Sequence, residues 1–330
     1  MYETAFHPSD ISSTRFLVTG GSGFIGSNLA EYLLRHGAQV RVFDNFLTSS
    51  RENLDSFKNN PRFELIEGDI RDLESCQKAC AGMDYVSHQA ALGSVPRSIK
   101  DPVTTHAINA TGFLNMLVAA RDAKVKRLVY ASSSSVYGDH KVLPKREEET
   151  GNPLSPYAVS KKTNELYARV FADCYGMEII GLRYFNVFGP RQSPDGPYAA
   201  VIPLFIKSVL EHTAPQIDGD GEQTRDFTFV ENAIQANVLA MLAAKGDALN
   251  QVYNVAVGER ASINDLFRTI TGICHSDLKP VYRERRAGDV RDSLADMSKA
   301  EKFLGYKPRV KMEEGLKQTI NWFKETHPGK

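Results

Sequence analysis

The segment VTGGSGFIG, residues 18–26, is the strongest indication of the fold of this 330-residue chain. It follows the apolar run RFLVT at 15–19 and opens an amphipathic stretch. Gly20, Gly23 and Gly26 allow a tight turn, let backbone N–H groups approach a pyrophosphate, and permit a helix to pack closely on a strand. A strand, a glycine turn and a helix in this order predict a dinucleotide-binding unit at the start of the chain.

The second predicted strand, VRVFD at 40–44, ends in a carboxylate. Asp44 lies at about the distance from the glycine turn at which an acidic residue meets the adenosine ribose hydroxyls. Because a carboxylate there would repel a ribose phosphate, it favours NAD over NADP. Arg51 could reach the same region, and it is the feature of this segment that would favour a phosphate.

Apolar β-branched runs alternate with amphipathic stretches through the first part of the chain, which predicts a doubly wound, Rossmann-type parallel sheet. After Pro190 the pattern changes to turn-rich segments between helices, which predicts a smaller mixed α/β domain. We expect a NAD-binding domain at 1–187, a mainly substrate-binding domain at 188–330, and a segment near 229–257 that packs back onto the first domain. The predicted strands cover 15–19, 40–44, 63–69, 84–91, 127–133 and 178–187; the predicted helices cover 24–36, 103–122, 156–175, 199–211, 229–244, 262–272 and 311–324.

The composition indicates a small-molecule partner. Acidic and basic residues balance at 40 each without a long basic run, which argues against a nucleic acid or a membrane surface. The four cysteines show no CxxC spacing, so neither a metal site nor a disulfide framework is supported. No secretory signal or membrane span is present, and we expect a cytoplasmic protein. We also expect residues 1–14 to be loosely ordered and the charged REEET at 146–150 to be a solvated loop.

A tyrosine and a lysine in SPYAVSKKTNE, residues 155–165, are the main candidates for chemistry. Tyr157 and Lys161 are neighbours on one face of a predicted helix. A free tyrosine titrates near ~10, and positive charge from Lys161 and an oxidised nicotinamide would favour the phenolate. Tyr157 could then take a proton from a substrate hydroxyl. The strand RLVYASSSS should bring its serines to the same crevice, at the carboxyl edge of the sheet.

Taken together, these motifs resemble the extended short-chain dehydrogenase/reductase family, and within it the NAD-dependent nucleotide-sugar 4-epimerases. GxxGxxG, SSSxVYG and PYxxxK carry the resemblance, which runs from about residue 15 to 325. The segments HQAALGSVPRS, LRYFNVFGPRQ, YAAVIP, GDGEQTRDF and RAGDVRDSLAD are most similar to the UDP-N-acetylglucosamine 4-epimerases. The resemblance implies a nucleotide-sugar-binding second domain, a role in polysaccharide biosynthesis, and a homodimer formed through the helices near 103–122 and 156–175.

The resemblance also implies a mechanism. Tyr157 removes the proton from the sugar O4 while the C4 hydride passes to NAD, and the resulting 4-keto sugar turns over and receives the hydride on its other face. The catalytic serine of the family corresponds to Ser133, and Ser134 is expected to touch the sugar. The substrate would be UDP-N-acetylglucosamine or UDP-N-acetylgalactosamine, and also UDP-glucose or UDP-galactose.

Further residues are assigned to two sites by the same resemblance. The expected cofactor site comprises Gly20, Gly23, Phe24, Ile25, Gly26, Asp44, Asn45, Phe46, Thr48, Asp69, Ile70, Gln89, Ala90, Ala91, Asn109, Ser132, Tyr157, Lys161, Tyr184 and Val187. The expected substrate site comprises Gly93, Ser94, Ser133, Ser134, Asn186, Gln192, Ala200, Val201, Arg225, Arg286, Asp289 and Ser293. An arginine pair at the diphosphate is physically reasonable, because guanidinium groups match phosphate oxygens bidentately.

Substrate choice remains open at this point. Ser293 falls where hexose-restricted members of the family carry a bulky residue, so we hypothesise that it leaves room for a 2-acetamido group. The corresponding uronic acid is an alternative substrate, since Arg97 could meet its carboxylate. A dehydratase or decarboxylase on the same scaffold is a further alternative, although Ser134 and Ser135 stand where dehydratases carry an Asp–Glu pair. A non-catalytic NAD-binding protein would lack the catalytic set. His88 is interpreted as a hydrogen-bonded core residue rather than a base.

Overall fold

The computed structural model describes residues 1–195, 199–244, 246–284 and 291–326. The strands are β1 (Arg15–Thr19), β2 (Gln39–Asp44), β3 (Phe63–Glu67), β4 (Tyr85–His88), β5 (Arg127–Ser133), β6 (Ile179–Tyr184), β7 (Val187–Phe188), β8 (Gln216–Asp218), β9 (Thr224–Arg225), β10 (Thr228–Phe229), β11 (Val252–Val255), β12 (Ala261–Ser262) and β13 (Val281–Arg283). The α-helices are α1 (Phe24–Arg35), α2 (Leu73–Cys80), α3 (Val95–Lys100), α4 (Pro102–His106), α5 (Gly112–Asp122), α6 (Pro156–Tyr175), α7 (Val201–Leu210), α8 (Val230–Met241), α9 (Ile263–Cys274), α10 (Ser298–Leu304) and α11 (Met312–Thr326).

A parallel sheet forms the centre of the molecule. Its strands follow the order β11-β6-β5-β4-β1-β2-β3, and every pairing between them is parallel. The chain winds outward from β1 in both directions, so the direction of winding reverses between β1 and β4. In an open sheet of this kind, ligands bind outside the carboxyl ends of the strands at the reversal point. The predicted Rossmann-type α/β fold is confirmed, and its architecture places the glycine turn and the serines of β5 at one edge.

The seventh strand of the sheet comes from late in the chain. β11 pairs with β6, and α8 packs on β4, β5 and β6 as well as on α1. Most residues of α8 are buried, including Ala233, Ile234 and Val238. Residues beyond 187 therefore complete both an edge and a face of the sheet.

The helix predicted at 103–122 is not uniform. It consists of α4, a wide π-helical turn at Ala107–Thr111, and α5. Asn109 lies inside the wide turn, where its side chain exchanges hydrogen bonds with the backbone of Leu92. The wide turn occurs where Asn109 makes these contacts. The periodicity of the sequence predicts a continuous helix and does not show such contacts.

Two segments that were expected to be loosely ordered or solvated carry buried residues. Residues 1–14 contain no regular element, yet Tyr2, Phe6 and Ile11 are buried in the main core, and the Tyr2 hydroxyl donates to Asn28 Oδ1 at 2.7 Å. The REEET segment is a mostly exposed loop, as expected, except that Glu147 is buried and its carboxylate accepts a hydrogen bond from the backbone N–H of Asn254 at 2.8 Å. Buried apolar side chains attach residues 1–14 to the core, and the hydrogen-bonded carboxylate of Glu147 attaches the REEET segment to β11.

Short strand pairs and helices make up the rest of the molecule. β7 pairs with β10, β9 with β12, and β8 with β13, while α7, α9 and α11 pack together beside them. Gly315 of α11 lies so close to Phe229 that a Cβ there would be 2.7 Å from the ring, so this helix presses directly on β10. Among the helices of the described ranges, none has the length and apolar character needed to span a bilayer.

Candidate active site

The glycine turn after β1 has the backbone geometry that its sequence predicts. Gly20 has a φ of +63°, and a Cβ at this position would lie 2.7 Å from the backbone of Ala90. A Cβ at Gly26 would lie 2.2 Å from the Gly20 carbonyl oxygen. Gly23 caps the start of α1 without any side-chain hydrogen bond, so the first N–H groups of the helix, which include those of Phe24 and Ile25, are available to bind an anion.

Asp44 lies beside this turn in a fixed orientation. Its carboxylate accepts hydrogen bonds from the Ser22 N–H at 3.0 Å, the Phe46 N–H at 2.9 Å and the Ser49 hydroxyl at 3.0 Å. The guanidinium of Arg51 lies 3.9 Å from the centroid of the Phe46 ring. Arg51 also forms an ion pair with Glu67, so its charge is balanced within the protein. This arrangement fits a ribose diol better than a ribose phosphate.

A cavity opens between the glycine turn and the ends of β2, β3 and β4. Its lining residues are Gly23, Phe43, Asp44, Asn45, Leu47, Thr48, Ser49, Gly68, Ile70, Ala90, Ala91, Leu92 and Ile108. Beside it, Asn45 donates to Asp69 Oδ2 at 2.8 Å, and the guanidinium of Arg71 is the main cause that lowers the pKa of Asp69 to about 2. Apolar walls, two carboxylates and a glycine turn with free N–H groups suit the adenosine half of a dinucleotide.

A hydrogen-bond network lies under the neighbouring part of the crevice. The Tyr184 hydroxyl contacts Gln89 Oε1 at 3.1 Å and accepts from Asn237 Nδ2 at 2.7 Å, and Gln89 Nε2 donates to Asn237 Oδ1 at 2.9 Å. Burial raises the pKa of Tyr184 to about 12, so it remains a neutral hydroxyl. Asn237 was not predicted as a site residue. A buried asparagine within the apolar helix VENAIQANVLAM is the feature of the sequence that indicates it.

Tyr157 and Lys161 lie on the first turns of α6. The helix begins at Pro156 because Ser155 caps it, accepting the Ala158 N–H at 3.2 Å. The Tyr157 hydroxyl is hydrogen-bonded to Ser133 at the end of β5. The Lys161 ammonium donates to the backbone carbonyl of Ala131 at 2.8 Å and lies 5.8 Å from the centroid of the Tyr157 ring. The predicted catalytic residues thus meet at the carboxyl edge of the sheet.

Burial is the main influence on the ionisation of Tyr157 and Lys161. From protein groups alone, burial raises the pKa of Tyr157, and the hydrogen bond to Ser133 lowers it. Burial lowers the pKa of Lys161 to about 8. The predicted phenolate depends on Lys161 together with an oxidised nicotinamide, whereas the protein groups alone give Tyr157 a raised pKa. The reason is that both side chains are removed from water, and removal from water favours their neutral forms.

Two residues expected at the cofactor use their side chains inside the protein. The Ser132 hydroxyl donates its proton to Glu165 Oε1 at 2.7 Å. Asn109 donates to the Leu92 carbonyl at 3.2 Å and to the Ser160 hydroxyl at 3.1 Å. The first side chain connects β5 to α6, and the second connects the wide turn to α6 and to the segment after β4.

The loop after β6 forms one side of the expected sugar site. Asn186 has a φ of +34° and donates to the Asp226 carbonyl at 3.2 Å. Gln192 donates to the carbonyl of Val187 at 3.2 Å, while its Oε1 is buried without a hydrogen-bond partner in the part of the chain that the structure describes. A buried acceptor of this kind is normally satisfied, so Gln192 fits a donor from a ligand.

Gly93 is exposed, and a Cβ there would meet nothing within 4 Å. Ser94 caps α3 and accepts the Arg97 N–H at 3.2 Å. Ala200 and Val201 form the start of α7, and Ser134 is the first residue of a 3-10 turn that ends at Tyr137.

Arg225 and Ser293 are brought together by one short strand. Arg225 Nη1 donates to the carbonyls of Thr224 at 2.8 Å and Arg291 at 3.0 Å. The Ser293 N–H donates to the Thr224 carbonyl at 3.2 Å, and Ser293 is 9% exposed. The remaining members of the expected substrate set, Arg286 and Asp289, lie outside the described residues.

Asp226, next to Arg225, was not predicted as a site residue from the sequence. Its carboxylate accepts backbone N–H groups from Val257, Gly258 and Ala295 at 3.0 to 3.3 Å. Burial raises its pKa to about 6. It therefore ties the end of β11 to the segment that carries Ser293.

His88 is a core residue, as expected. It is buried at the end of β4, and its Nδ1 lies 2.9 Å from the Thr19 hydroxyl. Burial and then the charge of Lys161 lower the pKa of His88 to about 3, so the ring is neutral at physiological pH.

Comparisons with known proteins agree with this geometry. A family model described as the NAD dependent epimerase/dehydratase family matches residues 16–256. The chain is 39% identical to the UDP-N-acetylglucosamine 4-epimerase of Methanobrevibacter ruminantium, solved in complex with UDP-N-acetylmuramic acid, with a TM-score of 0.90 over 95% of this chain and 99% of the other. It is 38% identical to the UDP-glucose 4-epimerase of Thermotoga maritima, solved with UDP-glucose, with a TM-score of 0.89 over the same shares. A UDP-glucuronate 4-epimerase of Thermodesulfobacterium geofontis is 35% identical over 318 residues, which cover 94% of this chain and 96% of that protein.

Proposed function

Because the chain belongs to the NAD-dependent epimerase/dehydratase family, we propose that it is a UDP-sugar 4-epimerase that interconverts UDP-N-acetylglucosamine and UDP-N-acetylgalactosamine. The observation that carries the proposal is the contact of Tyr157 with Ser133 beside the buried Lys161, at the edge of the sheet that also holds the glycine turn. A proton acceptor, its hydrogen-bond partner and a cofactor site at one sheet edge are what oxidation of a sugar hydroxyl requires.

The residues present fit NAD. The turn that only glycine can occupy, the N–H groups of α1 and the ribose-facing Asp44 would hold its pyrophosphate and adenosine. When bound, NAD supplies reversible hydride acceptance at the sugar C4. Tyr157 takes the O4 proton and later returns it, and Ser133 keeps the tyrosine oxygen pointed at the reacting hydroxyl. Lys161 places positive charge near the phenol, which favours its ionised form once a second positive charge is present.

Elimination chemistry is disfavoured by the residues that follow Ser133. A dehydratase needs an acid and a base at this place, and the chain has Ser134 and Ser135 instead. The Ser135 hydroxyl is buried without a hydrogen-bond partner among the described residues. A serine hydroxyl cannot supply the proton transfers that an Asp–Glu pair would supply.

For the choice of substrate, Ser293 supports an N-acetylhexosamine. Its backbone is bonded to Thr224, and its side chain is much smaller than the bulky residue that hexose-restricted members of the family carry at this position. We infer that the 2-acetamido group lies here, with Gly93, Ser94 and Gln192 around it. The second candidate substrate is UDP-N-acetylglucosaminuronate, which is favoured by the position of Arg97 on the helix that Ser94 caps.

The proposal is tested by incubating the purified protein, without added cofactor, with UDP-N-acetylglucosamine, UDP-glucose and UDP-N-acetylglucosaminuronate. Epimers are then resolved by chromatography. We expect conversion of the first and slower conversion of the second. Conversion of the uronate alone would replace the proposed substrate, and no conversion of any of them with NAD supplied would refute the activity.

Replacing Ser293 with tyrosine should separate the two neutral substrates. The larger ring would occupy the space assigned to the acetamido group, so we expect kcat/KM for UDP-N-acetylglucosamine to fall by about 100-fold or more, while that for UDP-glucose changes by less than about 3-fold. Ser293→Ala, which keeps the site small, is the matched control. Equal losses on both substrates would show that Ser293 does not face the acetamido group.

We also propose that the protein is a homodimer. Val159, Leu166 and Val170 form one stripe along α6 and are 49%, 61% and 51% exposed. Val103 of α4 is 78% exposed nearby in the fold, since α4 packs on α6. An apolar stripe on two packed helices is typical of a helical interface with a second copy.

For the dimer, Leu166→Glu is expected to give a monomer, because a carboxylate in a dry interface has no partner. Light scattering after size exclusion measures the mass. Leu204→Glu, on α7, is the control, since Leu204 is 38% exposed on a helix outside the stripe. A dimer of unchanged stability in the Leu166 variant would exclude this interface.

A further inference from the structure

A third residue of α6 contacts the end of β5. Glu165 follows Tyr157 and Lys161 at intervals of four residues, so the three lie along one face of the helix. Tyr157 contacts Ser133, and Lys161 contacts the backbone of the same strand. Glu165 Oε1 accepts a hydrogen bond from the hydroxyl of Ser132, one residue before Ser133, at 2.7 Å. The helix and the strand are therefore joined at three successive levels.

Arg183 fixes the orientation of Glu165. Its Nε and Nη2 donate to the two carboxylate oxygens at 2.8 and 2.9 Å, and the side chains of Arg183 and Glu165 are only 2% and 9% exposed. Arg183 Nη1 donates to the Glu147 carbonyl at 2.9 Å. In the register of the sheet, Arg183 of β6 is the direct partner of Ser132 of β5. The carboxylate cannot turn away from Ser132 without leaving a buried guanidinium unpaired.

We propose that Glu165, held by Arg183, is a positioning residue that sets the register of β5 against α6 through Ser132 and thereby places Ser133 on the Tyr157 hydroxyl. The inference rests on the proposed function, because it assigns the contact a part in the proton transfer. Ser133 is also the cap of the 3-10 turn that follows, accepting the Ser135 N–H at 3.1 Å. A shift of Ser132 along the helix axis would move that cap and the catalytic hydroxyl together.

The charged and titratable groups around this contact come from several elements. Lys161 and Glu165 belong to α6, Arg183 to β6, His88 to β4, Tyr130 to β5 and Tyr137 to the 3-10 turn, and Glu147 and Glu148 lie in the loop that precedes α6. His88 is neutral and Tyr130 has its pKa raised by burial. If a variant keeps all of these groups, a change in the pKa of Tyr157 can therefore be attributed to the position of Ser133 rather than to a change of charge.

Ser132→Ala is such a variant, since it removes the link to β5 and keeps the Glu165–Arg183 pair. The Tyr157 phenol is followed by NMR of protein labelled at the tyrosine ¹³Cζ, with saturating NAD and no sugar nucleotide, and its signal is assigned by its loss in Tyr157→Phe. Because the Ser133 hydrogen bond lowers the pKa of Tyr157, we expect the titration midpoint to rise by about one pH unit. We expect kcat to fall about 10-fold, with KM and the affinity for NAD unchanged. We also expect the acid limb of the pH profile of kcat to move to higher pH.

Two further variants separate positioning from stability. Ser132→Thr keeps a hydroxyl and should restore most of kcat and the wild-type midpoint. Thr319→Val removes another buried hydroxyl, which donates to the Gly315 carbonyl of α11 at 2.6 Å, and should lower the melting temperature without moving the midpoint. If Ser132→Ala lowers only the melting temperature and leaves the Tyr157 midpoint and kcat at wild-type values, the inference is overturned. If the wild type epimerises no UDP-sugar, the proposed function fails, and the midpoint still decides the inference.

Discussion

Tyr157→Phe is expected to lower kcat for 4-epimerisation by about 10³-fold, within the range that a positioned acid or base contributes. The substitution removes one oxygen from a half-buried side chain that is hydrogen-bonded to Ser133. The ring keeps its packing, so the affinities for NAD and for the UDP-sugar should change little. Product formation is measured by chromatography, and both affinities by calorimetry.

Tyr167→Phe is the matched control for this experiment. Tyr167 lies on the same helix but is 37% exposed, and its loss of a hydroxyl should leave kcat unchanged. If Tyr157→Phe retained a tenth or more of the wild-type rate, another group would be the base. Unchanged activity in every assay would favour a NAD-binding protein whose function is not catalytic.

Gly26→Ala should abolish NAD binding at concentrations about 100-fold above the wild-type dissociation constant and lower the free energy of unfolding by about 1–3 kcal/mol, the usual effect of overpacking. The added Cβ would lie 2.2 Å from the Gly20 carbonyl oxygen and 2.7 Å from the Gly21 Cα. Both atoms are backbone, so α1 must move away from β1. The N–H groups at the helix start then no longer converge on the pyrophosphate.

Gly272→Ala provides a control with the same chemical change. Gly272 lies within α9, and a Cβ there would meet nothing within 4 Å. This variant should bind NAD normally and gain about 0.5–1 kcal/mol of stability, because alanine loses less backbone entropy in a helix. Calorimetry of NAD binding and thermal unfolding distinguish the two variants. Equal NAD affinity in both would mean that α1 tolerates displacement and that the close packing at Gly26 is dispensable.

Much of the fold follows from local patterns. The strand, glycine turn and helix around Gly20 are specified within a dozen residues, and the first six strands of the sheet show buried β-branched runs. β11 was not predicted because VYNV is short and carries a buried asparagine, and only its pairing with β6 identifies it as a strand. The burial of Glu147 was missed for a similar reason, since its partners Arg183 and Asn254 are remote in sequence.

The site likewise contains residues that the sequence predicts and residues that it does not. Tyr157 and Lys161 could be found because helical spacing fixes their relation. Glu165 and Asp226 could not, since a buried carboxylate is recognisable only from the donors around it, and those donors come from other strands and loops. The effect of burial on the pKa of Tyr157 could not be predicted, because the sequence shows the neighbouring charge but not the loss of solvent.

The late origin of β11 bears on how the protein is made. During synthesis, β6 has its outer edge open until the ribosome has delivered residue 255, some 70 residues after β6 itself is complete. An unpaired hydrophobic edge is a template for association with other nascent chains. A fragment that stops at residue 187 would keep that edge permanently and lack α8, so it should aggregate, and chaperone dependence of the growing polypeptide should be greatest in this interval.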